Sequence, residues 1–132
     1  MLRRFAQVLG VVLLLVGLLG LFLGERLWLG VLNVDVAEDL VHLITGGLLA
    51  FAGFWGRGAE QTRGVVGGVG AFYLLVGLLG FFAPTLFGLL PHGYSVWDNL
   101  LHLALGALSL GVVFYAQRGT TTRWHGSGAA HG

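Results

Sequence analysis

The sequence predicts an all-α membrane protein: four transmembrane helices in a bundle built from two tandem-repeated hairpins, with both termini on the cytoplasmic side. Three observations point there. Of 132 residues, 56% are hydrophobic and 10% charged, with a mean hydropathy of +0.86, whereas a soluble domain carries about 25% charged residues. Four apolar windows are each long enough to cross a hydrocarbon core about 30 Å thick. One stretch of sequence also recurs at a spacing of 60 residues. The same composition excludes disorder, which requires low hydrophobicity and high charge. With no cysteine there is no disulfide, thiolate metal site or thiol nucleophile. A net charge of +1 offers no electrostatic footprint for nucleic acid.

The expected spans are residues 5–23, 36–55, 65–83 and 96–116. The first follows Arg3 and Arg4 in the manner of a secretory signal, but its apolar run outlasts an h-region and no A-x-A site follows, so it reads as a retained helix. The second lies between Asp35 and Arg57, the third stops at Pro84, and the fourth closes before Arg118. Residues 118–132 are polar and glycine-rich and read as a disordered cytoplasmic tail. The loops 24–35 and 84–95 are themselves apolar, as segments at a membrane interface are.

Orientation follows from the arginines, because positively charged loops stay cytoplasmic. Arg3, Arg4, Arg57, Arg63, Arg118 and Arg123 share one side with Glu60, a sum of +5. Arg26 shares the other with Glu25, Asp35, Glu38, Asp39 and Asp98, a sum of −4. Trp28, Tyr94 and Trp97 then mark the outer interface, and Trp55 and Tyr115 the inner one.

The repeats, 1–60 and 61–120, align without a gap. LLVGLLGLF at 14–22 matches LLVGLLGFF at 74–82, and EDLVHLITGGL at 38–48 matches DNLLHLALGAL at 98–108, pairing His42 with His102 and Gly46 with Gly106. Two-helix repeats that enter from the same side are related by an axis along the membrane normal. Recurring glycines are expected to bring helices close together.

Each second helix is expected to open with a capping box, Asp35 with Glu38 and Ser95 with Asp98, which satisfies the first free amides. His92 has no counterpart in the first loop and is expected to be incidental. His42 and His102 fall about 10 Å into the helix, where ionisable groups face the interior and have a partner. Three uses remain open. The pair can be a polar clasp between helices. It can ligate haem, with Gly46 and Gly106 giving space beside the rings. Or Glu38, His42, Asp98 and His102 can hold a divalent metal. Ser109 has no acid or histidine in register, so no nucleophilic enzyme chemistry is expected.

The motifs VHLITG around His42 and WDNLLHLALG around His102, each following a VGLLG-type helix, resemble the bacterial membrane proteins grouped as domain of unknown function 4383. The resemblance covers residues 5–116 and implies four transmembrane helices but no activity. The family's first motif often reads H-N-x-x-H-L, where this chain has Glu38 and Asp39. A chain that is nearly all span, with no charge at mid-membrane, is expected to be a structural or accessory protein of the lipid bilayer, either free-standing or packed in a larger membrane protein complex or a homo-oligomer, with transport a further reading. A haem or metal module is the alternative.

Overall fold

A computed structural model describes residues 1–29 and 31–124. The order of elements is α1 (Leu2–Leu23), β1 (Arg26–Trp28), β2 (Leu32–Val34), α2 (Val36–Trp55), α3 (Ala59–Phe82) and α4 (Val96–Trp124). All four helices are long and apolar enough to cross a membrane. Their outward faces carry Leu15, Leu19, Ile44, Phe51, Leu78 and Phe81. Apolar outward faces suit hydrocarbon rather than water, where a helix shows one apolar stripe.

The helices outrun the apolar windows at three ends, α1 beginning at Leu2 rather than 5. α3 begins at Ala59 rather than 65, and α4 continues to Trp124, so residues 118–124 are helical where a disordered tail was expected. Apolarity marks what sits in lipid, whereas helix continuation depends on backbone propensity and the absence of a breaker. Glu60 and Arg63, one turn apart at 3.0 Å, support the polar start of α3. Residues 125–132 of the expected tail lie outside the described residues.

α1 packs chiefly on α2, and α3 on α4, with a lighter α2–α3 seam. Close approach at glycine creates both main seams. A Cβ on Gly10 would meet the backbone of Ala50 and Gly46, and one on Gly70 would meet Ser109, Gly106 and Leu110. Higher up, Gly20 leaves the space that the Asp39 carboxylate fills, and Gly80 leaves the space that the Asn99 carboxamide fills. Between the seams, Ala6, Leu13, Leu49, Val66, Val69, Tyr73 and Val113 form the core. Arg3 donates from Nε to the Gly53 carbonyl at 2.9 Å and from Nη2 to that of Gly56 at 3.1 Å. The free carbonyls at the end of α2 thereby gain a cation, as a helix C-terminus favours.

The opposite end carries the two longer loops. The first is a small antiparallel hairpin pairing Arg26 with Val34, Leu27 with Asn33 and Trp28 with Leu32. The second turns on Leu86 and Phe87, both at positive φ. The loops bind one another: Ser95 Oγ donates to the Val31 carbonyl at 2.6 Å, and the Asn33 amide donates to Asp98 at 3.1 Å. Only one of the expected capping boxes forms. Ser95 N donates to Asp98 Oδ2 at 2.8 Å while Asp98 N donates to Ser95 Oγ at 3.2 Å. Asp35 occupies the N-cap of α2 without a side-chain cap, because its carboxylate is taken by Asn33 Nδ2 and by His92 Nδ1, the latter at 3.0 Å. His92 therefore ties the second loop to the first and is not incidental. Ser95→Ala is expected to cost about 1 kcal/mol as a lost cap, measured by thermal unfolding of the purified chain.

Candidate functional site

The site grows from the first two turns of α2 and α4. Side chains four apart share a helix face, so Glu38 and His42 project together from α2, and Asp98 and His102 from α4. Glu38 and Asp98 occupy equivalent positions but behave differently. Asp98, shorter by one methylene, stays at the helix start, where the amides of Ser95 and Asn33 hold its carboxylate. Glu38 extends inward, and its Oε1 lies 3.4 Å from His102 Nε2.

His42 completes the group. One ligating atom from each of Glu38, His42 and His102 lies within 4.8 Å of the others. The imidazole centroids are 6.2 Å apart. Of the four metal ligands the sequence suggests, three converge, and Asp98 does not join because both its oxygens serve the loop junction. Glu38 and His102 are buried, and three of the cluster's polar atoms, Glu38 Oε2, His42 Nδ1 and His102 Nδ1, have no hydrogen-bond partner among the described residues.

Gly46 and Gly106 do not border the rings with open space. A Cβ on Gly46 would press on Leu14 N and Gly10 O, and one on Gly106 on Gly70 O and Leu74 N. Both glycines are spent on helix approach. The face of the pair is instead covered by Tyr73, whose ring lies 5.5 Å from that of His102 and 6.2 Å from that of His42.

Tyr73 was not singled out from the sequence, although a tyrosine in mid-span is a signal, since its buried hydroxyl needs a partner. That partner is Thr45: the two oxygens are 2.8 Å apart, and Thr45 donates onward to the Val41 carbonyl at 2.7 Å. Tyr73→Phe is expected to lower stability by about 0.6 kcal/mol, the average for a hydrogen bond between membrane helices, read by thermal unfolding in detergent. Tyr94, expected at the interface, instead sets its ring edge-on against His102 at 4.9 Å. Burial raises its phenol pKa, and the nearby Glu38 charge adds to this, so the ring stays neutral. Trp55, Trp97 and Tyr115 remain exposed, as interfacial aromatics are.

A cavity of about 370 Å³ opens onto this cluster between α1 and α4, which scarcely touch. Its polar end is formed by Asn33, Glu38, Asp39, His42, Asp98 and His102, and its long wall by leucines of α1 and α4. A groove of about 440 Å³ between α2 and α3 is lined almost wholly by apolar side chains such as Ile44, Val69 and Phe72, with no ionisable group.

No protein-family model, curated protein or solved structure matches this chain.

Proposed function

We propose that this chain is a multi-pass membrane protein that binds one divalent metal ion through Glu38, His42 and His102. The observation that carries the reading is the convergence of a carboxylate and two imidazoles with unpartnered polar atoms, all within helices long enough to cross a membrane. An unsatisfied polar group in hydrocarbon costs several kcal/mol, and the described residues around this cluster do not supply the missing partners. Metal bonds of about 2.0–2.2 Å set neighbouring ligands about 3–3.5 Å apart, and Glu38 and His102 already stand at 3.4 Å. Two nitrogens and one carboxylate oxygen suit zinc or ferrous iron. Three protein ligands with a fourth position facing a cavity correspond to an exchangeable site rather than a closed structural one.

Haem fits less well, because Tyr73 covers the imidazole pair and the glycines meant to make room are filled by backbone. A packing role in a larger complex is the other reading of the same chain, and the metal assay separates the two. Protein purified from membranes is expected to hold about one divalent ion. Stripping and restoring zinc or ferrous iron is expected to shift stability by about 2.7 kcal/mol at a hundredfold excess over Kd. Metal content far below one per chain, with no thermal shift on addition, would end this reading.

The metal site is placed at the outer side of the cell membrane, with both termini cytoplasmic. The arginine distribution supports this. Gly10 faces Ala50 and Gly46 as Gly70 faces Leu110 and Gly106, and Gly20 faces Asp39 as Gly80 faces Asn99, which supports two repeats of 60 residues. Similarity to the family named above is part of the same proposal. The chain lacks cysteine, so Gly58→Cys and Gly88→Cys report sidedness directly. An impermeant maleimide applied to whole cells is expected to label position 88 and spare position 58, and the reverse pattern overturns the orientation.

A further inference from the structure

We propose that the cavity at the arginine-rich end of the bundle, between the start of α1 and the α2–α3 connection, binds the head group of a net-anionic phospholipid of the phosphatidylglycerol type. The acyl chains stay in the bilayer alongside. This site stands apart from the metal reading, because the two lie at opposite ends of α2.

The cavity has a volume of about 340 Å³, within the range of small-molecule sites. Thr62, 3% exposed, closes it from within, and the exposed Arg3 and Arg57 stand on its wall. Arg3 is a cation held in place: Nε and Nη2 donate to carbonyls at the end of α2, and Nη1 has no partner among the described residues. Arg57 donates to Gln61 through its backbone amide, which leaves its guanidinium without a partner among the described residues. Gly58, which caps α3 without a side chain, adjoins the two cations, and the positive end of the helix dipole adds to them. Two guanidinium groups on one cavity suit a phosphate, whose oxygens match their planar fork of donors.

The sign of the lining selects among the phosphates of a membrane. No acid lines the cavity, and Glu60, the acid nearest to it in sequence, is paired with Arg63 at 3.0 Å. The ammonium of a zwitterionic head would meet two cations and no counter-charge, whereas a net-anionic head neutralises them. The position in the bundle favours a lipid over a free anion. Trp55, 69% exposed and adjacent to Gly56, marks the membrane–water boundary, and the exposed Phe54 beside it offers an acyl chain an apolar surface. Basic pockets between transmembrane helices at this level hold anionic lipid heads.

The test titrates dioctanoyl phosphatidylglycerol into the full chain in a neutral maltoside detergent, with dioctanoyl phosphatidylcholine and inorganic phosphate in parallel. Retained lipid is counted by native mass spectrometry, and affinity is read from the rise in unfolding temperature. Phosphatidylglycerol is expected to bind and to stabilise, and the other two at the same concentrations are not. Arg57→Gln is expected to weaken phosphatidylglycerol about fivefold, the worth of one arginine against an anionic lipid. Arg4→Gln removes the same charge from an exposed position outside the cavity and is expected to leave the affinity near that of the parent. Gly58→Glu sets a carboxylate in the cavity from a position where a Cβ meets nothing within 4 Å. It is expected to keep the helical circular dichroism of the parent and to lose most of the binding, while Gly58→Gln retains it. Equal weakening by Arg4→Gln and Arg57→Gln, unchanged binding in Gly58→Glu, or equal binding of phosphatidylcholine overturns the proposal. Inorganic phosphate binding as tightly as the lipid also overturns it, by assigning the cavity to a free anion.

Discussion

The double variant His42→Ala, His102→Ala is expected to purify without the divalent ion, and Glu38→Gln to bind it about a hundredfold more weakly or worse. The magnitude is a lower bound, because removal of a mere outer-shell partner already costs about 10–100-fold in metal affinity. Asp98→Asn discriminates between the three-ligand site and the four-ligand set that helical spacing alone suggests. Its carboxylate is engaged by backbone amides, so the variant is expected to keep the metal while losing about 1 kcal/mol of capping energy. Elemental analysis and zinc competition titration on each variant measure this. Equal metal content in the double-histidine variant and the parent would remove Glu38, His42 and His102 from any ligand role.

Gly46→Leu is expected to lower stability by about 3 kcal/mol, at the upper end for overpacking, and Gly47→Ala to be neutral or stabilising. The two residues are adjacent, but only one is in the seam. A Cβ at Gly46 would meet Leu14 N at 2.8 Å and Gly10 O at 2.9 Å, backbone atoms that cannot swing aside, whereas at Gly47 nothing lies within 4 Å. Alanine at an unobstructed helix position gains up to about 1 kcal/mol over glycine. Thermal unfolding of both variants under one detergent condition gives the comparison. A similar loss in each would mean that the α1–α2 seam does not rest on backbone contact at Gly46.

The helices were legible because hydrocarbon demands long apolar runs, and such runs are hard to mistake. Their ends were less so. Ala59–Arg63 and residues 118–124 are helical without being apolar, and propensity gives no sharp stop there. The hairpin of β1 and β2 was missed because three-residue strands are too short to show alternation. At the site, the spacing of 60 residues singled out His42 and His102, and helical spacing added Glu38. What spacing cannot show is the competition for a side chain. Asp98 and Glu38 look equivalent in sequence, yet one is held by Ser95 and Asn33 and the other is free to turn inward. Tyr73, Thr45 and Asn33 act through partners on other elements, which only the fold brings together.

The loop contacts also bear on how the protein is made. Val31 and Ser95 are 64 residues apart, and Asn33 and Asp98 are 65 apart. At a synthesis rate of about 5–20 residues per second, the first hairpin waits roughly 3–13 s for the second to emerge. Over that interval Asp35 lacks His92 and Glu38 lacks His102, leaving two acids of the nascent hairpin without their final partners. The buried acids of the first hairpin are therefore satisfied only after the second hairpin has been made, so the order of synthesis is part of how the cluster is assembled.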